Sequence, residues 1–195
     1  VSGSPAIFED VTGAILVGGL SSRLGRDKVL LQCEGVPVLH RLRNLLEPLV
    51  SEIILVGYYR LEFDTLGLRF VEDIIPGAGP LGGIFTALMS SSTPFVFVLA
   101  SDMPFVPAEL IENIAGAREH ADAVIPRGPR GPEPLCAIYS HSCTGPLRAS
   151  LEKGNRRIMT ALEGLTIHMP EIPVKTREPD PFFNINFPED LEKIK

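Results

Sequence analysis

Three cations, Arg23, Arg26 and Lys28, fall in a glycine-bearing stretch that follows directly on the apolar run Ala14-Ile15-Leu16-Val17. This combination suits phosphate. Gly18, Gly19 and Gly25 let backbone N–H groups approach an anion closely, and guanidinium and ammonium groups match phosphate oxygens. A strand-to-helix connection with solvated cations is the plainer alternative, but two adjacent glycines and three cations exceed what a turn needs. Two carboxylates also stand at the ends of apolar runs. Asp102 follows Phe95–Leu99 in Ser101-Asp102-Met103-Pro104. A carboxylate at a strand tip, stiffened by a nearby proline, suits magnesium, which takes one or two carboxylates and completes its shell with water and phosphate. The alternative role, capping the helix after Pro107, would need it closer to that helix. Asp73 ends Leu68–Val71, and alone it reads as a turn carboxylate.

Two familiar phosphate loops are excluded. The P-loop pattern fails because Arg26 and Asp27 separate Gly25 from Lys28, and Val29 stands where a hydroxyl is required. Gly77-Ala78-Gly79-Pro80-Leu81-Gly82 matches G-x-G-x-x-G formally, but the preceding strand stops near Val71 and Pro80 removes an N–H donor. His40, His120, His141 and His168 are scattered and read as surface or structural residues.

The elements that must carry these groups follow from hydrophobic patterning. Gly13–Val17, Ile53–Val56, Leu68–Val71 and Phe95–Leu99 are short apolar strands, as in a parallel sheet buried on both faces. Between them lie helices. Pro37 opens one with Leu39, Leu42, Leu45, Leu46 and Leu49 on one face, and Pro48 ends or kinks it. Others run from about Gly82 to Ser90 and from Pro107. Ala123–Ile125, Leu135–Tyr139, Leu165–Met169 and Phe182–Asn186 read as further strands, with helices over Thr144–Leu151, Arg156–Leu162 and Pro188–Lys193. Alternation of this kind predicts an α/β fold, one domain over 1–195 with a doubly wound, mostly parallel sheet and a loose leader over 1–11. In such sheets ligands bind beyond the carboxyl ends of the strands, where the glycine loop, Asp73 and Asp102 all fall.

Composition narrows the partners. The 195 residues are 45% hydrophobic and carry a net charge of −6, which disfavours general nucleic-acid binding and requires any phosphate site to gather its cations locally. Cys33, Cys136 and Cys143 form no C-x-x-C pair and read as reduced thiols. Val1–Thr12 lacks both the basic start and the apolar core of a signal peptide, and no apolar run is long enough to span a membrane, so a cytoplasmic location is expected.

The stretch from Leu16 to Lys28 reads L-x-G-G-x-S-x-R-x-G-x-D-K. It resembles the signature loop of the molybdenum cofactor guanylyltransferases, the MobA family, within the wider group of nucleotidyltransferases that activate sugars, polyols and cofactors. Leu16, Gly18, Gly19, Ser21, Arg23, Gly25, Asp27 and Lys28 all match, with Val17 where alanine is usual. The Gly18-Gly19 pair resembles the guanylyl branch, since cytidylyl relatives tend to carry Ala-Ala-Gly. Asp102, and Asp73 with the following Gly79-Pro80-Leu81-Gly82-Gly83, resemble that family's metal and nucleotide motifs. Asn184 and Asn186 resemble its Asn-x-Asn segment, with Phe187 replacing threonine. They hydrogen-bond the acceptor or the nucleotide, or else cap a helix or hold a turn. Val56 stands where some members carry a polar residue that contacts nucleotide.

The resemblance runs from about Thr12 to the C-terminus. It implies a Rossmann-like nucleotidyltransferase that uses Mg2+ to transfer GMP from GTP to the terminal phosphate of molybdopterin, releasing pyrophosphate. Leu16, Val17, Gly18, Gly19, Lys28, Asp73 and Asp102 would bind GTP. Lys28, Arg23 and Asp102 would carry catalysis, Asp102 would hold the metal, and Asn184 and Asn186 would meet the acceptor. Arg127–Arg130, Glu133–Leu135 and Arg156-Arg157 are further candidates to hold an anionic second substrate. Molybdoenzymes and cofactor-delivery proteins are the partner candidates. The rivals are a transferase using CTP or another phosphorylated acceptor, and a non-catalytic nucleotide-binding adaptor for cofactor delivery.

Overall fold

The computed structural model describes residues 7–17, 32–33, 35–171, 180–185 and 190. Strand β1 (Phe8–Leu16) is central. The short hairpin β2 (Gln32–Cys33) and β3 (Val36–Pro37), with Gly35 at φ +78° in the turn, leads into α1 (Val38–Leu46). Strands β4 (Val50–Gly57) and β5 (Arg69–Glu72) follow, then α2 (Gly79–Ser90), β6 (Phe95–Ala100) and α3 (Ala108–Gly116). The second half contributes β7 (Ala123–Val124), the small hairpin β8 (Arg127–Gly128) and β9 (Gly131–Pro132), β10 (Cys136–Ser140), α4 (Thr144–Glu152), α5 (Ile158–Ala161) and β11 (Ile167–His168).

The main sheet runs β11-β7-β10-β6-β1-β4-β5. All pairings are parallel except those of β10, which runs against both β6 and β7. The strands sort their side chains with a period of two. Val11, Ile15, Ile53, Leu55, Phe97 and Leu99 join one buried cluster with the leucines of α1 and with Leu110, Ile111 and Ile114 of α3. Ala14, Leu16, Ile54, Val56, Val96 and Val98 join the other, with α2 and with Leu147 of α4. Both faces being covered is why these strands read as unbroken apolar runs. Leu39, Leu42, Leu46 and Leu49 are buried and Leu45 is partly so, which realises the predicted apolar face. No helix among the described residues is long and apolar enough to cross a membrane.

Two boundaries differ from expectation. Residues 8–11 are not part of a loose leader, because β1 starts at Phe8. Phe8 N–H donates to Leu49 O at 2.8 Å, Val11 is fully buried, and Asp10 takes both ends of the Arg118 guanidinium at 2.9 and 3.0 Å. That guanidinium also stacks over Phe8 and Phe95, so polar Glu9-Asp10 hides a strand held by distant partners. Residues 182–185 are not a strand either. Asp180 folds them into a turn, its Oδ1 accepting from Phe182 N–H at 2.9 Å and its carbonyl from Phe183 N–H at 3.0 Å. The helix expected over Pro188–Lys193 lies almost wholly outside the described residues.

Candidate active site

Four parallel strands deliver their carboxyl ends to one edge. There Leu16 lies between Val56 of β4 and Ala100 of β6. The ladder continues one step past the strands: Val17 N–H donates to Val56 O (2.8 Å), Asp73 N–H to Gly57 O (3.3 Å) and Ser101 N–H to Leu16 O (3.2 Å). The chain passes from β1 to β4 on one side, and β6 occupies the other. The crevice between β1 and β6 is therefore a topological switch point, where open α/β sheets bind ligands. Leu16 and Val17 are buried and their ladder groups are engaged. Their contribution is to fix where residue 18 starts. Gly18, Gly19, Arg23 and Lys28 lie outside the described residues.

Asp102 sits two residues beyond β6 in a braced turn. Met103 N–H donates to Ala100 O at 3.2 Å, Met103 and Pro104 are buried, and Arg41 Nε donates to Pro104 O at 2.9 Å. Asp102 does not cap α3, whose N-cap position is Pro107. Its carbonyl accepts from Ile185 N–H at 2.9 Å, which brings Asn184 to the same turn. Phe105 and Phe183 meet with ring centroids 6.4 Å apart, and Arg41 lies 6.0 Å from the Phe105 centroid. Burial of Phe182 and Ile185 contributes about 2 kcal/mol each. The exposed Arg130–Asp180 pair, at 4.0 Å, adds less than about 1 kcal/mol, so packing anchors this segment. Asn186 lies outside the described residues.

Asp73 stands across β1 from Asp102. Its Oδ1 is buried without a hydrogen-bond partner, and burial, helped by the neighbouring Glu72, pushes its carboxyl above the ordinary carboxylate range. The next residue is tied down, since Ile74 N–H donates to Thr86 Oγ1 at 3.1 Å on α2. Gly77 and Gly79 adopt φ of +71° and +69°, and Arg156 donates to Gly77 O, fixing the loop that opens α2. At Gly83 a Cβ would meet Leu16 Cδ atoms at 3.3 Å, so this glycine lets α2 press against the end of β1. Arg156, a candidate from the sequence to hold an anionic second substrate, is bonded to this loop.

An orphaned carboxylate is poorly explained by folding alone, because a buried acceptor without a donor is unfavourable. We expect Asp73→Asn to raise the melting temperature of the ligand-free protein by about 2 °C at pH 7 while weakening nucleotide binding. The magnitude is small because solvent screens a half-buried group. The sign follows from linkage. Below its ordinary pKa the acid is neutral in both folded and unfolded chains, and the two proteins melt alike. The difference opens as pH rises past the ordinary pKa, grows up to the elevated pKa of the folded state and is constant above it. Melting curves from pH 3 to 7 check this, and a variant less stable at pH 7 would show that Asp73 supports the fold.

The histidines and cysteines stay out of the site. His141 bonds Thr93 O at 2.9 Å near the amino end of β6, and His40 reaches Thr65 beside α1. Cys33, Cys136 and Cys143 are buried and none is in a disulfide. Burial pushes the Cys143 thiol up to about 12 and Cys136 higher, leaving both protonated and inert. Among the described residues no three His, Cys, Asp or Glu side chains gather to form a metal cage. Magnesium takes one or two carboxylates and completes its shell with water and phosphate, so the Asp102 carboxylate at the strand end fits that ion.

A parallel sheet with carboxylates flanking its switch point, and a glycine- and cation-rich segment leaving the central strand, defines an α/β nucleotide-handling enzyme. Residues 13–165 match the family described as MobA-like NTP transferase domain. The chain belongs to this family and is a nucleotidyltransferase. It is 35% identical to the "Probable molybdenum cofactor guanylyltransferase" of Chloroflexus aggregans, over 95% of this chain and 93% of that protein. It is 32% identical to the molybdenum cofactor guanylyltransferase of Desulfosudis oleivorans, over 96% of each. The crystal structure of molybdopterin-guanine dinucleotide biosynthesis protein A from Archaeoglobus fulgidus superposes with a TM-score of 0.78 at 30% identity, covering 94% of this chain and 96% of that one.

Proposed function

We propose that this nucleotidyltransferase joins GMP from GTP to the terminal phosphate of molybdopterin. An oxygen of that phosphate bonds to the α-phosphorus of GTP, the bond from the α-phosphorus to the bridging oxygen breaks, and pyrophosphate leaves with its electron pair. The observation that carries the reading is the placement of Asp73 and Asp102 on either side of the strand from which the Leu16–Lys28 loop departs. Guanine presents N–H donors, which suit the unpartnered Asp73. Two anionic phosphates must approach one another, and Arg23 and Lys28 would offset that repulsion. Mg2+ held by Asp102 would neutralise phosphate charge and favour departure of pyrophosphate. The two relatives named above are molybdenum cofactor guanylyltransferases by name, which supports GTP and molybdopterin as the substrates. Three buried thiols outside any disulfide suit a reducing cytoplasm.

Nucleotide choice is tested by thermal shift, since a ligand that binds only the folded state must stabilise it. GTP with Mg2+ should raise the melting temperature more than CTP, ATP or UTP. Equal or greater stabilisation by CTP would move the chain to the cytidylyl relatives. Stabilisation by GTP without pyrophosphate release, in the presence of acceptor, would mark a nucleotide-binding adaptor.

A further inference from the structure

On the other side of Asp102 from Asp73 lies a second carboxylate, Glu133, for which the folded chain provides no hydrogen bond among the described residues. It precedes β10, where Leu135 O accepts from Ala100 N–H at 2.9 Å, so its turn stands beyond the carboxyl end of β6 beside the Asp102 turn. The turn is firmly held: Glu133 N–H donates to Pro126 O at 2.9 Å, and Cys136 N–H to Glu133 O at 3.1 Å. The side chain crosses the β8–β9 hairpin at Gly128. A Cβ there would fall 3.0 Å from Glu133 Oε1 and 2.8 Å from the Phe182 ring, so the missing side chain is what admits the carboxylate. Arg130 does not chelate it; the guanidinium donates instead to Phe182 O at 2.6 Å. Glu133 thus sits against the segment whose Ile185 docks on Asp102. Burial pushes its carboxyl above the ordinary range, Arg130 offsetting part of that effect and Asp180 adding to it.

A carboxylate repels the phosphate of an acceptor, but its two oxygens match two adjacent N–H donors. The 2-amino-4-oxopyrimidine edge, with a ring N–H beside an amino group, has that pattern and occurs in both guanine and pterin. Asp73 occupies the β5 side of β1, and Glu133 the β10 side, so the two carboxylates serve different rings. Resting on the reaction proposed above, we infer that Glu133 binds the pterin of the acceptor, accepting from its ring N–H and 2-amino group. Pterin recognition at this end leaves the acceptor phosphate free to point toward Asp102.

Glu133→Gln keeps the shape but presents one acceptor and one donor to two donors. With GTP and molybdopterin varied in turn, it should raise the acceptor KM about tenfold or more and leave kcat and GTP KM within about twofold. Calorimetry with 6-hydroxymethylpterin monophosphate and its 2-deamino analogue gives a readout independent of turnover and of any variant. The wild type should bind the amino form about tenfold tighter, and Glu133→Gln should discriminate little between the two. An unchanged acceptor KM with transfer intact overturns the assignment of Glu133, as does a rise in GTP KM instead. Pterin binding that depends on Glu133 without any guanylyl transfer by the wild type overturns the proposed reaction and leaves this inference standing.

Discussion

Asp102→Asn should yield a folded protein that releases pyrophosphate at least about a hundredfold more slowly than the wild type, because the charge proposed to hold Mg2+ against the reacting phosphates is gone. The fold should survive for reasons visible around the turn. Three bonds brace it through backbone carbonyls: Met103 N–H to Ala100 O, Ile185 N–H to Asp102 O, and the Arg41 guanidinium to Pro104 O. Asparagine leaves these three in place and keeps the size of the side chain. Asparagine presents one neutral oxygen where a hard divalent cation favours a charged one. Pyrophosphate release at a fixed, ordinary Mg2+ concentration, with circular dichroism and melting as controls, makes the measurement. Near wild-type turnover would remove Asp102 from the metal and leave it a turn residue.

Lys28→Ala and Asn186→Ala should fail in different ways. Lys28 ends the glycine- and cation-rich stretch of the sequence, and in the proposed reaction its ammonium would offset charge that grows as pyrophosphate departs. Interactions stronger in the transition state than in the ground state appear in turnover, so its loss should lower kcat by about a hundredfold or more. Asn186 directly follows Ile185, whose N–H bonds Asp102 O, and lies outside the nucleotide motifs of the sequence. Its loss should raise the acceptor KM and leave GTP affinity nearly unchanged. Steady-state kinetics with each substrate varied separates the two. Weaker GTP binding in Asn186→Ala would overturn this division of the cleft, and a lower melting temperature alone would make Asn186 a structural cap.

Much of the site is legible from local pattern. Apolar runs such as Phe95–Leu99 announce strands because burial on both faces demands it, and a carboxylate immediately after such a run must stand at the carboxyl edge. Asp102 stands out in that way and the loop from Leu16 to Lys28 by its glycines and cations, whereas Asp73 alone reads as a turn carboxylate and stands out only by resemblance to the family motif. What local pattern could not supply is anything decided by distant partners. The start of β1 at Phe8 depends on Leu49, Arg118 and Phe95. The turn at 180–185 depends on Asp180 and on a place for Phe182 in the core. The sequence by itself determined the alternating α/β order, the strand ends and the residue types brought there, since these follow from periodicity and turn chemistry along a few residues. Only the tertiary structure decided that Asp73 Oδ1 is buried without a donor, that Arg156 fastens the loop before α2, and that the Glu133 carboxylate lies against Gly128. Those facts arise where strands far apart in the chain pair and exclude water, and desolvation has no signature in a short stretch of sequence.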